Sequence, residues 1–178
     1  MKIYSLLNQN RFLSHLRTIF CALAILCAPF ALPSAEAGGR QPASGDFYPC
    51  FTRTSLRQVG ENLIITFDIS GSTTGTFTST GVTGSEMDVV HRDGSITLHG
   101  SVLFTGSVNG TSGTMLFTYE GIGNLNTGHE NLRFVGRQGT GGLAGVIANL
   151  TAEGDVGGAC DGDFGGHGTY SGQVLFTP

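Results

Sequence analysis

Few residues in this chain can do chemistry, and their spacing narrows what that chemistry could be. Beyond residue 40 the histidines are His91, His99, His129 and His167. None stands two or four positions from another histidine or a cysteine, the local spacing that announces a metal site. His91 and His99 flank the Asp93-Gly94 pair and could converge across a turn. His99, however, has the opposite parity to Ile96, Leu98 and Val102, which places it in solvent. Four acids, Glu153, Asp155, Asp161 and Asp163, crowd a glycine-rich stretch. Clustered carboxylates suit hard cations, but this spacing misses the calcium-loop consensus, so a solvated acidic loop is expected. Glu120 and Glu130 form a pair of the type glycoside hydrolysis uses, yet nothing in the sequence fixes their separation. No G-x-S-x-G, phosphate-binding loop or dinucleotide fingerprint is present. These sets assign no catalytic residue, no metal and no cofactor.

The cysteines carry more information, because the start of the chain sets their compartment. Met1–Arg17 contains Lys2, Arg11 and Arg17 and no acid; Thr18–Leu32 is an uncharged apolar run; Ala35-Glu36-Ala37 is a small-residue exit. That order is a secretory signal peptide over 1–37. The apolar run of 15 residues is short of the ~20 needed to span a bilayer as a helix, and no stable membrane insertion is expected after cleavage. Cys21 and Cys27 leave with the signal. Cys50 and Cys160 remain, in an oxidising compartment, and with no third cysteine and no C-x-x-C a disulfide is expected. A nucleophilic or metal-bound thiolate is the competing use of the pair. Two glycosylation acceptors, at Asn109 and Asn149, matter only in a eukaryotic secretory path. The expected location is secreted or periplasmic.

The part after Ala37 holds all 29 glycines, six arginines, no lysine and twelve acids, for a formal charge of −6. That balance argues against a nucleic-acid or anionic-membrane partner, which needs a basic footprint. Its length suits one domain with a real core.

The elements that must position these residues are strands. Ser95–Gly121 holds two alternating runs around Asn109-Gly110. Ile96, Leu98, Gly100, Val102 and Phe104 share one face of the first, and Met115, Phe117 and Tyr119 one face of the second. Period two around Asn-Gly is a hairpin with one buried side. Further strands are expected over Leu63–Ile69, Gly71–Gly84, Glu86–Arg92, Leu132–Arg137, Leu143–Ala152 and Gly168–Thr177. Residues 38–46 read as a flexible leader, 47–178 as one domain, and Gly121–Gly128 and Gly154–Gly168 as loops. Phe47, Tyr48 and Phe51 are expected to plug one end. No segment keeps a 3.6-residue period. Roughly eight short strands predict an all-β antiparallel barrel, a closure that removes exposed edges.

The segment GRQGTGGLAGVIANLTAEG (Gly136–Gly154) follows the hairpin HGSVLFTGSVNGTSGT and precedes a closing G-x-Y-x-G-x-V-x-F. This order, from about Asn62 to Phe176, resembles the allene oxide cyclase-like barrel proteins, nearest to their small, largely uncharacterised bacterial branch. The resemblance implies an eight-stranded barrel with a G-T-G-x-L-x-G turn late in the chain. Plant relatives include allene oxide cyclases, which close a fatty-acid-derived epoxide inside the barrel, and dirigent proteins, which steer phenoxy-radical coupling. After Gly139-Thr140-Gly141 this chain continues Gly142-Leu143-Ala144-Gly145, without the arginines of the dirigent pattern, so the resemblance transfers no catalytic residue.

An eight-stranded interior can be filled by side chains or hold one small ligand. Met115, Phe117, Tyr119 and Phe134 are the candidates to line such a cavity, and alternation alone equally makes them core. The function expected is non-catalytic binding of a small apolar ligand, or a surface role. A cyclase or isomerase and a structural envelope or matrix protein are the alternatives. Nothing in the sequence sets an oligomeric state.

Overall fold

The computed structural model describes residues 39–177. Residues 1–37, where a signal peptide is expected, lie outside the described residues. Eight strands follow in order: β1 (Arg40–Val59), β2 (Asn62–Thr73), β3 (Phe77–Val90), β4 (Ser95–Val108), β5 (Thr111–Asn124), β6 (His129–Gly141), β7 (Ile147–Val156) and β8 (Phe164–Leu175). Each pairs antiparallel with the next, and β1 pairs with β8, giving a closed barrel. This is the all-β, eight-stranded architecture that the alternation predicts. Among the described residues no helix is long and apolar enough to cross a membrane.

Turn chemistry sets the registers. Asn109 and Gly110 have φ of 49° and 83°, the two positive angles of a type I′ turn. The register from Val108↔Thr111 to Ser95↔Asn124 is continuous. At the other end, Asp93 Oδ1 accepts from the Ser95 amide at 3.0 Å and hydroxyl at 2.7 Å, fixing the β3–β4 turn. The expected inner faces of β4 and β5 both point into the barrel, where Leu98, Phe104 and Met115 are fully buried.

Glycine makes room for the rings. Gly100 lies directly across from Tyr119, and a Cβ there would collide with the Tyr119 ring. Gly168 and Phe47 form a second such pair, as do Gly136 and Phe117. Rings then meet edge-on: Phe77 contacts Phe104, Phe117 and Tyr170 with centroids 5.6, 5.5 and 5.8 Å apart, the arrangement the ring quadrupoles favour. The β6–β7 turn inserts Leu143 and Val146 into the core.

Several elements differ from the sequence expectation. The flexible leader over 38–46 is, from Arg40 on, part of β1, paired with β8 from Arg40↔Leu175 to Phe47↔Gly168. Backbone pairing needs no apolar pattern, so the polar run Arg40–Asp46 gave no signal. The expected loops are shorter, because β5 runs to Asn124, β7 to Val156, and β8 starts at Phe164. The strand expected from Leu143 begins at Ile147, after the turn. Of the three plug residues, Phe51 is buried against Phe67 and Phe164, whereas Tyr48 faces outward and stacks on His167.

Cys50 and Cys160 form the expected disulfide, with Cα atoms 5.9 Å apart. It pins the 157–163 loop to β1. The Asp163 amide donates to the Phe51 carbonyl, and the Arg53 amide donates to Asp163 Oδ2, both at 2.7 Å.

Tyr170 is the polar tie inside the barrel. Its hydroxyl donates to the Thr74 carbonyl at 2.8 Å and accepts the Phe77 amide at 2.9 Å. It thereby holds the β2–β3 turn against β8, and burial raises its phenol pKa. Tyr170→Phe leaves the Phe77 amide without its acceptor and is expected to cost about 1–3 kcal/mol. Urea unfolding checks this, and an unchanged midpoint refutes the role given to the hydroxyl.

Candidate functional site

The inner face of β3 carries two acids. The Asp93-Gly94 turn sets a register that puts Glu86 opposite Gly100 and Asp88 opposite Leu98. Both partners point inward, so both carboxyls do too. On β6, Glu130 stands two and four positions before Leu132 and Phe134 and shares their inner face. The three acids are 4%, 7% and 8% exposed. Tyr119 reaches them from β5. Its ring lies over Gly100 and stacks on Phe134 with centroids 4.7 Å apart. Its hydroxyl donates to Glu86 Oε2 at 2.8 Å.

Burial dominates the electrostatics here. Removal from water, reinforced by the charges of Asp88 and Glu130, pushes the Glu86 pKa up to about 9. Burial raises Asp88 to about 6, against the stabilising effect of a proton shared with Glu86. Burial and then the charge of Asp88 raise Glu130 to about 7, opposed by the nearby His129. Burial and the neighbouring carboxylates drive the Tyr119 phenol upward as well. At neutral pH Glu86 therefore holds its proton, and the cluster keeps negative charge on Asp88 and, in part, on Glu130. All six arginines of the described residues are exposed. His129 is turned outward to Asp155, 2.9 Å from its carboxylate. Asp88 Oδ1 is buried without a hydrogen-bond partner.

Beside the cluster lies a cavity of about 110 Å³. Its walls are mainly apolar, with Phe47, Ile69, Val82, Val102, Phe104 and Leu150 among them. Glu86, Tyr119 and Glu130 form its polar patch. Its lining extends on β1 and β2 to the exposed Tyr48, Ser70 and Ser72 and to Thr73, whose hydroxyl is buried without a hydrogen-bond partner. Of the sequence candidates, Phe117, Tyr119 and Phe134 line this space. Met115 does not; it is wholly buried beside Gly136.

The other candidate groups stay apart. His91 bonds to Thr97 at 3.2 Å, and His99 is exposed. Asp155 pairs with His129 and Asp163 with the Arg53 amide, so two of the four acids of 153–163 are engaged with different partners. Among the described residues no three His, Cys, Asp or Glu side chains are placed to hold a metal ion. Glu120 faces solvent, away from Glu130. The sequence offered Glu120 with Glu130 only as an example of an acid pair of unfixed separation, and sequence reasoning passed over Glu86 and Asp88. The signal was the turn register, which fixes their parity.

No protein-family model and no curated protein matches the sequence. Among solved structures the chain is similar to the crystal structure of a protein of unknown function from the DUF3224 family of Shewanella oneidensis MR-1. The two are 16% identical, with a TM-score of 0.60 over 79% of this chain and 100% of that one. At this identity the likeness shows a shared fold and carries no site.

The three acids make stability depend on pH with a definite sign. Their pKa values are raised in the folded state, so the native protein binds more protons than the unfolded chain. The stability these groups confer is full below pH ~4, where both states are protonated, and is lost as pH rises toward about 9. Each proton retained only by the folded state costs about 1.4 kcal/mol per pH unit in that window. Glu86→Gln/Glu130→Gln is expected to flatten the fall in urea midpoint between pH 5 and pH 9. A wild-type profile no steeper than the variant's would contradict the burial of ionisable groups described above.

Proposed function

We propose that this chain is a secreted or periplasmic barrel that binds one small, largely apolar molecule in its interior, without transforming it. One observation carries the reading: an open cavity with mainly aromatic and aliphatic walls, bordered by the polar group Glu86–Tyr119–Glu130 and, on β2, by Ser70, Ser72 and Thr73. Concave apolar space with a few convergent polar groups is the usual form of a small-molecule site. The signal-like start and the Cys50–Cys160 disulfide support an oxidising compartment. Membership of the allene oxide cyclase-like superfamily is part of the proposal, supported by the order of sequence motifs and the closed eight-stranded ring.

A second reading, a cyclase or isomerase, draws on Glu86. A carboxylic acid that keeps its proton at neutral pH and borders the cavity is placed as a general acid. In that case Glu86→Gln abolishes turnover while ligand retention survives.

Native mass spectrometry of the protein secreted from its own host tests the binding reading. The expected result is a small non-covalent adduct that is lost on denaturation. Val82→Phe, which fills the cavity from β3, is expected to remove it. A bare protein that also takes up no added 1-octanol overturns the reading.

A further inference from the structure

Hydrogen-bond accounting at the cavity's polar patch is one-sided. Glu86, Asp88 and Glu130 bring six carboxyl oxygens into the barrel interior, on residues no more than 8% exposed. Among the described residues a single side-chain donor from outside the trio, the Tyr119 hydroxyl, answers them, and it is spent on Glu86 Oε2. Asp88 lies close enough to Glu86 for its charge to raise the Glu86 pKa further. Asp88 Oδ1, on a side chain 7% exposed, is left with no donor at all. Glu130 makes no hydrogen bond or ion pair with any described residue, and its carboxyl borders the cavity. An unsatisfied buried acceptor is costly, and an uncompensated buried charge more so. No cation of the described residues lies inside the barrel to offset them.

The missing complement is therefore donors and positive charge, delivered from the cavity side. An ammonium group provides both, with three N–H donors and no acceptor. The rest of the space accepts hydrocarbon: Val82 and Val102 flank the acids on β3 and β4, and Phe104, Phe117 and Phe134 complete the walls. Resting on the binding reading above, we propose that the barrel's ligand is a hydrophobic amine, its ammonium lodged against Glu130 and Glu86, with Asp88 behind them and the alkyl or aryl part among the phenylalanines. A neutral alcohol would fill the same apolar space but meet the acids with one donor and no charge. A carboxylate of equal length would bring like charge and acceptors to a patch already in excess of both.

Calorimetric titration of the full secreted protein at pH 7 with octylamine, 1-octanol and octanoate decides the matter. The expected order is octylamine at least tenfold tighter than octanol, with octanoate weakest. Asp88→Asn and Glu130→Gln, made singly, are each expected to reduce the amine preference at least threefold while leaving octanol affinity in place. Octanol binding as well as or better than octylamine overturns the amine assignment and leaves the cavity reading intact. Failure of all three ligands to bind overturns both. The wild-type ratio alone is decisive if the variants do not fold.

Discussion

The pairing of β1 with β8 is the constraint on which the rest of this molecule depends. Without it, seven hairpin connections would leave a curved sheet with two open edges and an interior exposed along the seam. With it, every strand has two neighbours, and the inward side chains are enclosed. The seam is built largely from backbone. Its β1 half contains Arg40, Gln41, Ser44 and Asp46, and its β8 half contains Gly168, Ser171 and Gly172. The covalent tie from Cys50 to the loop before β8 is added to the same seam. Chain-entropy reasoning gives a cross-link closing so long a loop up to about 4–5 kcal/mol.

Once the ring is closed, the diameter of an eight-stranded barrel limits what fits inside. This chain fills the space unevenly. Large rings lie over inward glycines, Tyr119 on Gly100 and Phe47 beside Gly168, while Phe51 with Phe164 and, on the β6–β7 turn, Leu143 pack into the core. Part of the interior stays empty, bordered by Glu86 and Glu130, with Asp88 behind them toward the β3–β4 turn. Apolar residues of similar size would pack this level at lower free-energy cost. A buried acid trio with one phenol for company is a stability cost, and such costs concentrate at functional sites.

The fold was legible because its signals are local. Period two along Ser95–Thr105 and Thr114–Tyr119, the two-residue turns Asn109-Gly110 and Asp93-Gly94, and the lone pair Cys50 and Cys160 each report a nearby physical requirement. What was missed lacks such a marker. Arg40–Asp46 is strand only because β8 arrives beside it, more than a hundred residues later. The site was hidden by an inverted pattern. Along Glu86-Met87-Asp88-Val89 the acids face inward while Met87 is 39% exposed, so hydrophobicity read alone puts the acids in water. Only the register carried over from β4 reverses that assignment. Glu130 could be placed by its parity with Leu132 and Phe134, but its neighbours Glu86 and Asp88 lie on a strand three places away around the ring.

The seam has one more consequence. Arg40 and Leu175 are cross-strand partners, so the two ends of the barrel segment emerge side by side, as in domains that tolerate circular permutation. The order in which the strands are synthesised is then incidental to the architecture. A short linker between these ends, with a new opening at the exposed Gly60-Glu61 turn, would give a permuted chain in which β1 and β8 are joined by a hairpin. Ring closure would pass to β1 and β2, whose pairing extends from Phe47↔Thr73 to Val59↔Asn62 with one bulge. The most distant contact in the sequence would become a local one, and the disulfide would span a loop of ordinary length.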